Sequence, residues 1–141
     1  MFKKMIAATA AVFILWSIID FLVHGILLQE IYQETMHLWR PEDQMLALLM
    51  SAVTLFFGAA VVLIYSFFVA PKSLATGVKF GAVLGIGIGA MTGLGSFSYM
   101  PIPLCLAGAW FAVMFAKLTV AGLVVGRLVS ESVTPIGMRS M

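Results

Sequence analysis

Asp20 and His24 stand four residues apart inside the apolar run from Met5 to Leu28. Residues at that spacing share one face of a helix. A carboxylate beside an imidazole can bind a proton, pass one on, or hold a cation. Lys117 is a third ionisable residue of the same kind, enclosed by the apolar run 104–129. Such groups cost about 2.5–3.5 kcal/mol each on membrane-insertion scales, so they usually turn inward and pair. The simplest pairing joins Asp20 to His24, with the carboxylate accepting from a ring nitrogen and Trp16 and Ser17 flanking the same face one turn deeper. Lys117 lies about 20 Å below the outer end of its helix and Asp20 about 12 Å below the end of its own, at 1.5 Å per residue. A small shift of the helix ends would bring the two together. The alternative is a Lys117 side chain that snorkels toward the cytoplasmic surface.

Other chemistry-bearing residues form weaker patterns. Glu30, Glu34 and His37 are spaced four and then three apart, and Glu34-x-x-His37 has the step used in di-iron carboxylate bundles. Those bundles need two such motifs and two further glutamates aimed into a core, so a solvated polar face is the expectation here. The ten methionines invite a copper reading, since thioethers suit Cu(I). The candidates Met36, Met45, Met50 and Met100 are scattered, however, and methionine is also an ordinary apolar filler. His24 falls in a span and His37 outside it, which speaks against a bis-histidine haem. Cys105 is the only cysteine, so neither an internal disulfide nor a thiol cluster can form. No dense basic stripe suggests nucleic-acid binding. The sequence thus implies no cofactor, no metal site and no catalytic constellation.

The elements that position these residues follow from composition. Of the 141 residues, 62% are hydrophobic and 10% charged, with a mean hydropathy of +1.11. An ordinary soluble domain is about 45–50% apolar and about 25% charged. Lipid must therefore be the solvent for much of this surface, and in lipid the backbone has to satisfy itself within helices or a closed barrel. Four spans of about 20 residues use nearly the whole chain. The expected fold is an all-α four-helix transmembrane bundle over residues 1–129, with helices at about 5–28, 42–69, 73–95 and 104–129. A polar tail follows at 130–141. Pro41 suits the first position of the second helix, with Glu42 and Asp43 in its first turn at the positive end of the helix dipole. Ala70-Pro71 ends that helix, and the P-I-P segment at 101–103 separates the third from the fourth. Lys3 and Lys4 before an apolar run resemble a signal peptide, but the small residues at 7–11 precede the most apolar part, so an uncleaved first helix is expected.

Charge sets the expected orientation. Lys3, Lys4, Lys72, Lys79, Arg127 and Arg139 fall on one side of four spans, while the first loop carries Glu30, Glu34, Glu42 and Asp43 against Arg40. The positive-inside rule then puts both termini in the cytoplasm of a bacterial inner membrane, with Tyr32, Trp39 and Tyr99 near the outer interface.

The strongest pattern is in the third helix: Gly77, Gly81, Gly85, Gly89 and Gly93, five glycines at a spacing of four. Such small faces let backbones approach closely in lipid. Two occupants are open, a neighbouring helix of the same chain or a helix of another chain. Within the chain, Gly108, Ala112 and Ala116, then Gly122 and Gly126, provide matching positions on the fourth helix.

The segment D-F-L-V-H-G-I-L-L at 20–28, Tyr32, L-W-R-P at 38–41, P-I-P at 101–103 and Trp110 together resemble small four-span bacterial membrane proteins of unknown function. The resemblance implies a four-helix membrane fold and no particular activity. It marks Asp20, His24, Gly25, Tyr32, Trp39, Arg40 and Pro41 as positions of interest. The leading expectation is a non-enzymatic accessory or scaffolding subunit, embedded in the bilayer, that packs against other membrane subunits or copies of itself through the glycine face. The alternative is a small oligomeric proton- or cation-coupled transporter or channel using Asp20 and His24.

Overall fold

The computed structural model describes residues 1–129 and is helical throughout, with no strand among the described residues. The expected tail at 130–141, with Arg139, lies outside them. Four helical segments are long and apolar enough to cross a membrane: Phe2–Leu27, Ala47–Phe68, Leu74–Tyr99 and Leu104–Leu128. The first comprises α1 (Phe2–Leu22) and a π turn over Val23–Leu27, after which α2 (Gln29–Glu34) and two 3₁₀ turns form the loop. The second span is α3 (Ala47–Phe68). The third joins α4 (Leu74–Ala90), a π turn over Met91–Gly95, and α5 (Ser96–Tyr99). The fourth is α6 (Leu104–Leu128).

Two boundaries differ from the sequence reading. Pro41 does not open the second span. Its ψ of 148° is extended, Glu42–Gln44 form a 3₁₀ turn, Met45 is extended again, and α3 begins only at Ala47. Glu42 and Asp43 therefore sit at a loop turn and not at the positive end of a membrane helix. The third span also runs past Gly95 to Tyr99. The π turn absorbs the glycine-rich stretch by shifting its hydrogen bonds one residue further on, as such turns do inside longer helices.

The α4–α6 pair is the tightest contact, and it explains the glycines. The two helices run antiparallel, and each four-residue step along α4 meets a three- or four-residue step back along α6. Gly93 faces Ala107, Gly89 faces Phe111, Gly85 faces Phe115, Gly81 faces Leu118 and Gly122, and Gly77 faces Gly122 and Gly126. A Cβ at Gly89 would lie 2.9 Å from the Phe111 carbonyl oxygen, one at Gly85 3.0 Å from that of Phe115, and one at Gly81 would collide with the Leu118 carbonyl. Only glycine permits this approach, which in lipid supplies dispersion contacts in place of a hydrophobic driving force. Of the two occupants open to the sequence, the structure supplies the internal one. The other α6 positions with the same spacing, Gly108, Ala112 and Ala116, are exposed, and a Cβ at Gly108 would meet nothing within 4 Å.

α6 also touches α1 and α3, so every other span leans on it. The main core joins Val12 and Trp16 of α1, Val61, Val62 and Tyr65 of α3, and Leu118, Ala121 and Val125 of α6. Gly58 lets α3 close on α1, where a Cβ would lie 3.2 Å from Val12. The Tyr65 hydroxyl donates to the Ser73 carbonyl at 2.9 Å, and the Ser73 side chain caps α4 by accepting from the Thr76 amide at 3.1 Å. A second cluster (Leu28, Ile102, Leu106 and Ala107) closes the opposite end of the bundle beneath the loop.

Candidate functional site: an intramembrane polar cluster

Most hydroxyls within the spans satisfy themselves locally. Ser17, Thr54, Ser66, Thr92 and Thr119 each donate to the carbonyl four residues earlier, at 2.7–3.1 Å. This back-bonding removes them from tertiary chemistry. Asp20, His24 and Lys117 have no such local acceptor or donor and must look across the bundle.

Lys117 takes the carboxylate. Its Nζ donates to Oδ1 of Asp20 at 2.7 Å and to Oδ2 at 2.6 Å. The Asp20–His24 pairing, the simplest from sequence, is not made as a hydrogen bond: His24 Nε2 stands 3.9 Å from Oδ1, beyond hydrogen-bonding distance. Snorkelling of Lys117 to the surface is likewise replaced by this pairing, since its side chain is only 9% exposed. Trp16 fixes the lysine from both ends. The indole donates to the Lys117 carbonyl at 2.7 Å, and the Lys117 ammonium lies over the indole ring, 5.1 Å from its centroid. The quadrupole of the ring face favours a cation there.

His24 turns instead toward the loop. Its Nδ1 is 2.7 Å from the Tyr32 hydroxyl, which accepts from the Trp110 indole at 2.8 Å. An indole nitrogen only donates, so the Tyr32 proton is left to point at Nδ1. Neutral His24 then keeps its own proton on Nε2, the nitrogen on the Asp20 side. If His24 gains a proton, Nδ1 becomes a donor and the bond to Tyr32 reverses direction. The π turn over Val23–Leu27 carries His24 and Gly25, and Leu28 closes it by donating to the Val23 carbonyl at 2.8 Å. It thereby sets the helical phase at which Tyr32, eight residues on, reaches back to His24.

The loop packs down on this chain of donors. Tyr32 and Trp39 meet edge to face at 5.8 Å, and Trp39 and Trp110 are 5.9 Å apart. The Trp39 indole donates to Thr35 Oγ1 at 2.9 Å, and Thr35 donates to the Ile31 carbonyl at 2.7 Å. Burial pushes the Tyr32 phenol up from its ordinary 10.0, with the nearby Asp20 adding to the rise and the Trp110 hydrogen bond partly opposing it. Tyr32 is thus a neutral donor throughout the physiological range.

The sequence alone did not assign this Trp110–Tyr32–His24 connection. Its one signal was a tryptophan in an apolar run, whose N–H needs an acceptor once buried. The remaining candidates stay apart from the cluster. Glu30, Glu34 and His37 are exposed, and α2 ends at Glu34 before His37 enters a 3₁₀ turn. Among the described residues no three His, Cys, Asp or Glu side chains converge as metal ligands. Arg40 and Pro41 lie on the exposed loop.

The cluster is open on one side and closed at one end. Asp20 is 31% and His24 36% exposed at the side chain. Toward the N-terminal end of α1, below Trp16 and Lys117, the next core side chains are the apolar Val12, Val61, Leu118, Ala121 and Val125, and the buried hydroxyls of Tyr65 and Ser66 further along donate to the Ser73 and Val62 carbonyls. No protein-family model, curated protein or solved structure matches this chain.

Proposed function

We propose that this chain is a non-enzymatic, multi-pass subunit of a bacterial inner membrane that packs against another membrane protein or against copies of itself, with both termini in the cytoplasm. One observation carries the reading. Asp20 and His24 leave about a third of their side-chain surface open within a span. Ionisable groups at membrane depth face protein or water rather than acyl chains. A partner helix lying along the α1 edge of Ser17, Asp20 and His24 would cover them, and the exposed small residues Gly108, Ala112 and Ala116 of α6 offer close approach to a helix as well. The glycine face of α4, which first suggested a partner, is filled by α6, so the proposed interface moves to α1. The cations Lys3, Lys4, Lys72, Lys79 and Arg127 gather at one end of the spans and Glu30, Glu34, Glu42 and Asp43 at the other, which supports the orientation.

A photo-crosslinking residue at Ser17, an exposed position, tests this in native membranes. The expected product is a protein adduct, to a second copy or to another chain. Adducts to lipid alone, with a 15.2 kDa monomer in mild detergent, would sink the proposal.

A second reading has one observation in its favour. The Trp110–Tyr32–His24 hydrogen bonds lead from the loop to the Asp20–Lys117 pair, which is half of a proton or cation path. The apolar layer of Val12, Val61 and Leu118 beneath Lys117 interrupts that path within a single chain, so transport would need an oligomer. Proteoliposome flux that is lost in Asp20→Asn would favour it; flux unchanged in that variant would remove Asp20 from any path.

A further inference from the structure

α4 has a second face besides its glycine row. Thr76, Lys79, Val83, Gly87 and Ile88 line a groove of about 540 Å³ along the helix, with apolar walls except at its Thr76–Lys79 end. Three features narrow what fits. The groove runs twelve residues from Thr76 to Ile88, about 18 Å at 1.5 Å per residue, close to the depth of one leaflet, half of a hydrocarbon core about 30 Å thick. Gly87 keeps it open at mid-length, since a Cβ there would meet nothing within 4 Å. Gly87 is thus unlike the five glycines of the packed row, which α6 needs. Lys79 is exposed at the polar end and, among the described residues, has neither a hydrogen-bond nor an ion-pair partner.

We propose that this groove binds an anionic phospholipid, with the headgroup phosphate on Lys79 and one acyl chain lying along Val83, Gly87 and Ile88. Lys79 sits about one and a half turns inside α4, so its stem must extend toward the membrane surface to place the ammonium among headgroups, as lysines near helix ends do. The hydroxyl of Thr76, one turn nearer the end of the helix, lies 2.9 Å from Ser73 Oγ; with Ser73 donating in that bond, Thr76 keeps its own proton for the same phosphate. A second copy of the chain would supply apolar contact to the groove but no phosphate for Lys79. A zwitterionic lipid supplies the acyl chain, but its own cationic headgroup group competes with Lys79.

The test is lipid retention by the full chain. The protein is reconstituted in vesicles of equal phosphatidylglycerol and phosphatidylcholine, extracted in mild detergent, and its bound lipid read by native mass spectrometry. One lysine near the membrane surface predicts an enrichment of phosphatidylglycerol of about fivefold. Lys79→Gln should bring the ratio to about one. Gly87→Leu should lower retention of both lipids while helicity and melting temperature stay unchanged, because no neighbour occupies that space. Equal retention of the two lipids by the unaltered protein overturns the proposal, as does enrichment that persists in Lys79→Gln. A lipid-free dimer that Gly87→Leu converts to monomer would assign the groove to a second copy instead.

Discussion

Lys117 and Asp20, ninety-seven residues apart in sequence, form a two-oxygen ion pair inside the bundle, with Nζ 2.7 and 2.6 Å from the two carboxylate oxygens. The pair ties α6 to α1 within the membrane-spanning part of the bundle. Its two members are unequally sheltered, the lysine at 9% and the aspartate at 31% exposure. Asp20→Asn strands the better-buried charge and should destabilise the protein more than Lys117→Met, which leaves Asp20 an open side. Stranding a buried charge costs about 3–5 kcal/mol in soluble proteins, so Asp20→Asn is expected near the lower end of that range. The double variant should recover much of the loss. Unfolding in bicelles by a denaturing detergent reads all three, and strict additivity of the two single changes would show that the pair contributes no coupling.

The glycine row makes a sharper contrast. At Gly81 any side chain strikes the Leu118 carbonyl, which is backbone and cannot turn away, while at Gly87 a Cβ meets nothing. Overpacking a filled contact costs about 1–3 kcal/mol. Gly81→Ala should therefore lower the melting temperature in detergent by several degrees, and Gly87→Ala, on the same helix, should leave it unchanged or raise it slightly through better helix propensity. Equal effects at the two positions would mean that α4 and α6 are not held at this distance.

The fold was legible because its signals are long. Four apolar runs, interrupted at Ala70-Pro71 and at the P-I-P segment, require four helices whatever their neighbours are. The starting point of α3 was not legible, because Pro41 followed by two acids matches a helix start and a loop turn equally well. Only the extended backbone at Met45 distinguishes them. The polar residues were legible as individuals and not as pairs. Spacing placed Asp20 and His24 on one face, but which partner each takes depends on how far α6 slides along α1, and the glycine contacts set that register only when α4 is in place. The Trp110–Tyr32–His24 chain depends further on a π turn at Val23–Leu27, which one glycine in an apolar run does not announce.

Tyr32 gives a prediction with a defined sign. Tyr32→Phe removes the acceptor of the Trp110 indole and the partner of His24 Nδ1 together. Leaving a half-buried donor unpaired costs about 1–3 kcal/mol, and the low end is expected because the site is partly exposed. Burial raises the phenol above its ordinary 10.0 in the folded state. Between the unfolded and the folded value the folded protein keeps a proton that the unfolded chain has lost, so stability is full below pH 10 and falls as pH rises through the folded value. Melting curves from pH 8 to 11 should show that decline in the unaltered protein and a shallower one in Tyr32→Phe. The same slope in both would assign it to other groups.

Orientation can be read from Cys105, the chain's only cysteine, which is exposed at the second residue of α6. It lies at the end of the bundle that carries Glu30, Glu34, Glu42 and Asp43, away from Lys3, Lys4, Lys72 and Arg127. With both termini cytoplasmic, as proposed, Cys105 would be at the outer interface. A membrane-impermeant maleimide added to intact cells lacking an outer membrane should then label it without lysis. A cysteine introduced at Lys72, in a variant with Cys105→Ser, should react only after the cells are opened. Reversal of the two patterns would invert the topology, and with it would place the Lys79 groove and its anionic lipid in the outer leaflet.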